Sequence, residues 1–252
     1  MIGEKTEKNG ERIAKVIANG GYCSRREAER LIEMGLVKVN GVTIDSPAVI
    51  ITDQTIKIKN KLIPRDNKTK MWVFYKPRGF IVTNRDPQNR KTIYEILPPN
   101  LPRVITVGRL DMDTEGLLLL TNSGSVARYI EHPINGWTRR YRIKVHGILD
   151  RLRAAMGAMA TGGIVIDGVR YLPLEISIEK ESDTTNTWLL VSLKEGKNKE
   201  VRRIMEHFGL RVLRLVRISF GPFHIGAMTA REIRPVSRKA LEGALGGRVK
   251  LD

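Results

Sequence analysis

The stretch from Gly108 to Gly124 reads GRLDMDTEGLLLLTNSG and holds the side chains best suited to chemistry: Asp111, Asp113 and Glu115, with Arg109 before them and Gly116 behind. Carboxylates so spaced can bind a cation, or one of them can act as nucleophile or general base. The cation reading starts well, because Asp111, Asp113, Glu115 and Gly116 match positions 1, 3, 5 and 6 of a helix-flanked calcium loop. It then fails: position 12 falls on Asn122, position 9 on Leu119, and the flanks have the pattern of strand. Asp113 and Glu115 are expected to cap turns or to pair with nearby arginines.

An acid is useful only if it is held still. Leu117 to Leu120 form a continuous apolar run closed by Thr-Asn-Ser-Gly, the pattern of a strand buried on both faces. The acids therefore sit on a loop at the mouth of a rigid core element. Farther on, Val201, Ile204, Met205 and Phe208 recur at helical spacing and Gly209 ends the run, so Arg202 and Arg203 lie at the border of a buried helix face. In TRRYRIKV, Tyr141, Ile143 and Val145 alternate with Arg140, Arg142 and Lys144, a strand with an apolar inner face and a basic outer one. Alternation alone makes Tyr141 a core aromatic. RVLRLVRISF, Arg211 to Phe220, is expected to be a strand bordering a cleft.

Composition limits the partners. Lys and Arg outnumber Asp and Glu by 44 to 27, a net charge of +17 over 252 residues. Such an excess favours a polyanion, nucleic acid before membrane, because each neutralised phosphate releases counterions. The excess is spread along the chain: residues 1 to 70 carry 14 basic and 9 acidic side chains, and the remainder carries 30 and 18. With Cys23 alone there is no intrachain disulfide and no multi-cysteine zinc site, and the four histidines are scattered. The start, MIGEKTEKNG, lacks a secretory core and no apolar run is long enough to cross a bilayer, so a cytoplasmic protein without a cofactor or metal is expected.

In chain order, residues 1 to 11 are expected to be a disordered tail. Arg12 to Asn19 reads as a short helix stopped by Gly20 and Gly21; a second helix starts at the N-cap Ser24, with Glu27 completing a capping box and Ala28, Leu31 and Ile32 buried. VKVNGVTI then turns at Asn40-Gly41, the strongest short hairpin signal. The run RIAKVIANGGYCSRREAERLIEMGLVKVNG resembles the S4 RNA-binding module over residues 12 to 58. That resemblance implies that Arg25, Arg26, Arg30 and Lys38 contact RNA. Residues 59 to 70 lose periodicity and are expected to be a linker, 71 to 240 a second domain, and 241 to 252 a tail.

Within the second domain the acidic stretch, YKPRG at Tyr75 to Gly79, RRYRIKV at Arg139 to Val145 and EGKNKEVRRIMEHFG at Glu195 to Gly209 occur in order. Together with the S4 module they resemble the pseudouridine synthases that modify ribosomal RNA one site at a time. The resemblance implies an α/β (α+β) chain whose second domain has a mixed, mainly antiparallel central sheet. It implies isomerisation of uridine with no cofactor, in ribosomal RNA and by family analogy that of the large subunit, 23S; nothing in the sequence demands more than a monomer. It assigns Asp111 as the catalytic carboxylate, Arg202 as the cation paired with it, and Tyr141 as the aromatic against the target base. It further implies that Arg109 fills the space of the extruded uridine, and that Lys76, Arg139, Arg140 and Arg203 contact RNA. The alternative is a non-catalytic RNA-binding assembly factor that uses only the basic surfaces.

Overall fold

The computed structural model describes residues 10–65, 68–84, 86–180 and 185–251. In the small N-terminal module, α1 (Ile13–Asn19) and α2 (Arg25–Glu33) pack on a four-stranded antiparallel sheet of β1 (Val37–Val39), β2 (Val42–Ile44), β3 (Ile56–Ile58) and β4 (Lys61–Leu62), in the order β2-β1-β3-β4. Ser24 caps α2 by accepting the Glu27 backbone N–H at 3.2 Å, and Ala28 and Ile32 drop into a core with Ile13, Ile17, Val37, Ile56 and Ile58. Asn40 and Gly41 both have positive φ, 47° and 86°, the geometry that a two-residue hairpin turn needs.

Both expected boundaries of this module shift. Residues 1 to 9 of the expected tail lie outside the described residues, while Glu11 and Arg12 pair with Ile50 and Ile51 as a short ribbon. The expected linker at 59 to 70 is largely structured: Lys61–Leu62 forms the fourth strand, Ile63 enters the core, and Lys68 and Lys70 are held by Asn122. Polar composition hid these residues because their order comes from main-chain pairing, which leaves no hydrophobic period.

The larger module is built on one mixed sheet. Its main path is β9 (Leu174–Lys180), β10 (Asn186–Leu193), β8 (Arg139–His146), β11 (Arg211–Phe220), β7 (Glu115–Thr121), β5 (Met71–Lys76) and β12 (Ile233–Pro235), with β6 (Ile105–Val107) also pairing with β7. Every pairing along it is antiparallel except β7 with β11, as the resemblance implied. All residues of β7 are buried. Leu117 and Leu119 face a cluster with Val126 and Ile130 of α3 (Gly124–Glu131), and Leu118 and Leu120 face another with Ile143, Leu152 of α4 (Asp150–Gly162) and Ile204. Each fully buried leucine contributes about 2 kcal/mol from the water it leaves, so this strand is a costly element to move.

Gly116 permits the parallel pairing. It has φ +105°, and a Cβ there would lie 2.4 Å from the Arg217 carbonyl oxygen. A side chain would force β7 and β11 apart. The expected C-terminal tail is likewise part of the fold: α6 (Arg238–Leu245) buries Leu241 and Leu245, with Val249 and Leu251 packed against the same cluster. The correction follows from helical spacing across the proposed boundary, since Leu241 and Leu245 lie one turn apart.

Candidate active site

The acidic stretch begins as a tight turn, closed by the Thr114 N–H on the Asp111 carbonyl at 3.1 Å, and passes directly into β7. Lys76, at the end of β5, lies beneath it with no solvent exposure. Its ammonium donates to the carbonyls of Thr114 (2.7 Å), Asp111 (3.0 Å), Pro77 (3.0 Å) and, more weakly, Met112 (3.4 Å). Burial brings its pKa down to about 8, although Asp111, Asp113 and Glu115 pull the other way. Lys76 is therefore not an RNA contact as expected. It is a clamp inside the acidic turn, and no phosphate can reach it.

Above the turn opens a cleft of about 1010 Å³, lined among others by Arg109, Asp111, Arg139, Tyr141, Glu200 and Arg217. Among the described residues the Asp111 carboxylate has no hydrogen bond or ion pair, and it remains available to a substrate. Tyr141 is buried in the core cluster that also holds Leu110 and Leu215, and it borders the cleft. Arg139 donates to the carbonyls of Trp137 (3.0 Å) and Lys194 (2.9 Å), and its guanidinium lies 4.4 Å above the Phe220 ring. Burial lowers its pKa, and its hydrogen bonds hold the cleft wall.

Arg202 is placed differently from expectation. In α5 (Glu200–His207) it donates to the Asp113 carbonyl at 3.2 Å, steadying the acidic turn through its main chain, and no Arg202–Asp111 ion pair forms. Glu115 does pair as expected for a structural acid, with Arg214 at 2.7 Å and the Tyr75 hydroxyl at 3.1 Å. Arg140 alternates away from Tyr141 and is exposed on the opposite face of the sheet, so it is not a cleft contact.

Residues 70–207, over half of the chain, match the family model described as RNA pseudouridylate synthase. The chain belongs to that family. Residues 11–55 match the S4 domain. An uncharacterized RNA pseudouridine synthase of Rickettsia felis is 46% identical over 92% of this chain and 99% of its own length. A protein of Yersinia pestis named ribosomal large subunit pseudouridine synthase B is 34% identical over 86% of this chain and 69% of its own. A crystal structure described as a pseudouridylate synthase superposes with a TM-score of 0.62 at 26% identity, covering 92% of this chain and 98% of that one. The synthase is thus an isomerase that converts uridine to pseudouridine.

The other cations predicted from the sequence of the synthase are on its surface. Arg25, Arg26, Arg30 and Lys38 are all exposed on the S4 module, with Arg30 3.6 Å from Glu27. Arg109 is exposed at the cleft rim and Arg203 on the outer side of α5.

Two features went unread. Arg217 is buried in the cleft floor, 2% exposed, its Nε donating to the Leu117 carbonyl at 2.8 Å. Glu200 is buried in the cleft wall, and Glu195 is buried beside it. Burial pushes Glu200 up to about 7; the Lys197 backbone N–H opposes this and the neighbouring Glu195 adds to it. Burial also works to raise Glu195, but the Lys197 ammonium and the Leu172 N–H outweigh it and hold that carboxyl below its usual range. Alternation in RVLRLVRISF could have placed Arg217 on the Leu215 face; nothing local signals the Glu195–Glu200 contact.

Proposed function

We propose that this synthase isomerises a uridine in ribosomal RNA, that of the large subunit, with Asp111 as the reacting carboxylate. The observation that carries the reading is the unpaired Asp111 carboxylate at a cleft bordered by Tyr141, on a turn locked from below by Lys76. The named large-subunit relative, the S4 match and the net charge of +17 support a ribosomal RNA substrate.

The reaction breaks N1–C1′ and forms C5–C1′; one proton leaves C5 and one is gained at N1, so no atom is lost and no redox partner is needed. Whether it bonds to the sugar or takes a proton from it, Asp111 must be ionised. The uridine must first leave its stack, at a cost of a few kcal/mol, and Arg109 at the rim is placed to occupy the gap. Tyr141 then lies against the base. Arg202 positions the turn through Asp113, and the exposed cations of the S4 module hold phosphates. The synthase acts as a monomer in the cytoplasm.

The test is D111N, assayed on transcribed fragments of large-subunit ribosomal RNA. Pseudouridine formation should fall about 10³-fold or more while RNA affinity stays close to that of the parent. Parental activity in this variant refutes the reading.

A further inference from the structure

The start of α5 lacks a side-chain cap: Lys199 holds the N-cap position in the left-handed region, φ +52°, and donates nothing to it. Yet this helix carries Arg202, which braces the acidic turn through the Asp113 carbonyl, so whatever fixes its first turn also steadies Asp111. Two buried acids do the fixing. Glu200, the first residue of α5, is 4% exposed and accepts the Lys197 N–H at 2.8 Å. Glu195, just past β10, is 8% exposed, accepts the Leu172 N–H at 2.5 Å and pairs with the Lys197 ammonium. The two carboxyls lie in hydrogen-bonding contact, and among the described residues the buried Oε1 of Glu200 receives no donor. Ionised carboxylates are acceptors only, so a contact between two of them is attractive only when one carries a proton. Charge leads to the same count: two buried acids face one ammonium, and one proton leaves the cluster neutral.

We propose that Glu195 and Glu200 share one proton, and that this proton seats the first turn of α5, making Glu200 a positioning residue for Arg202 and through it for the turn with Asp111. The other groups facing the pair are Arg139 from β8, within electrostatic reach of Glu200, and Tyr171, whose ring lies 5.7 Å from the Lys197 ammonium. When the proton leaves, two touching carboxylates repel each other in a site nearly closed to water. The start of α5 then shifts outward and the Arg202–Asp113 hydrogen bond lengthens. Burial places this event at about 7 for Glu200, whereas the Lys76 ammonium under the same turn titrates at about 8. Turnover therefore declines through neutral pH before Lys76 contributes.

The effect on turnover rests on the assigned reaction, and the experiment separates the two. Infrared spectra of the parent and E200Q, without RNA, read the proton directly: the parent should show a carboxylic-acid C=O band at pH 6.5 that E200Q lacks and that vanishes by pH 8.5. Amide hydrogen exchange over α5, corrected for its intrinsic rate, should lose about tenfold in protection across the same range in the parent and not in E200Q. Tritium release from C5-labelled transcripts of large-subunit ribosomal RNA, at saturating RNA from pH 5 to 9, should show an alkaline limb in kcat that moves up by about one pH unit in E200Q, whose amide N–H replaces the proton. A merely structural role would scale kcat alike at every pH. A missing band, unchanged protection in the parent, or an unmoved limb overturns the proposal. If E200Q does not fold, E195Q supplies the same N–H from the other side, and an unmoved limb there overturns it. No tritium release from the parent would instead refute the reaction assigned to the synthase, while the band and the exchange still decide whether the shared proton seats the helix.

Discussion

The S4 module and the catalytic cleft both use arginine and lysine, and they use them in opposite ways. On α2, Arg25, Arg26 and Arg30 stand in water, where a cation attracts phosphate from a distance and fixes nothing. In the cleft, Lys76, Arg139 and Arg217 turn inward and donate to carbonyl oxygens of the chain itself. The difference teaches that burial, more than residue type, decides whether a cation binds substrate or shapes the site.

The contrast can be broken most forcefully at Lys76. K76M leaves the carbonyls of Asp111 and Thr114 without their donor and loosens the reactive turn, and a misplacement of about 1 Å is enough to lower turnover about 100-fold. An exposed lysine would show no such effect. The parent should also gain thermal stability from pH 8 to about 10.5, because over that range the unfolded chain holds a proton that the folded Lys76 has shed. In K76M this gain disappears.

Glu200 gives the mirror case at smaller scale. Its folded carboxyl keeps a proton up to about 7 that the unfolded chain loses near 4.5, so its contribution is complete below 4.5 and lost as pH rises through 7. E200Q should remove that decline and leave the protein about 1 to 2 kcal/mol more stable than the parent at pH 8 by thermal or urea unfolding.

The smallest effects belong to the exposed set. R25A and R26A should each raise KM for RNA a few-fold and lower the salt slope of binding by about one, measured by titration at several ionic strengths. A loss as steep as that of K76M would erase the distinction between the two kinds of cation.

What the sequence revealed follows the range of the forces involved. The Asn40-Gly41 turn, the Ser24 cap and the buried leucine strand are local, and each is where the pattern put it. The acidic turn at the mouth of that strand was legible for the same reason. Lys76 was misread because its partners are main-chain carbonyls some 35 residues away, and a carbonyl has no signature in a sequence. Arg217 was passed over because its position depends on a parallel pairing across about 100 residues, made possible by Gly116. Arg202 was on the right helix, but the acceptor it meets is the Asp113 backbone instead of the Asp111 side chain.

The clasp between Asn122 and residues Lys68 and Lys70 has a mechanical consequence. It anchors the chain leaving the RNA-binding module at one end of a rigid rod, Glu115–Thr121, whose other end carries the turn with Asp111, roughly 20 Å away at the usual rise of a strand. Residues inserted or deleted ahead of that anchor would change where the module can grip without disturbing the geometry of attack, so the choice of nucleotide could drift in evolution while the chemistry stayed fixed.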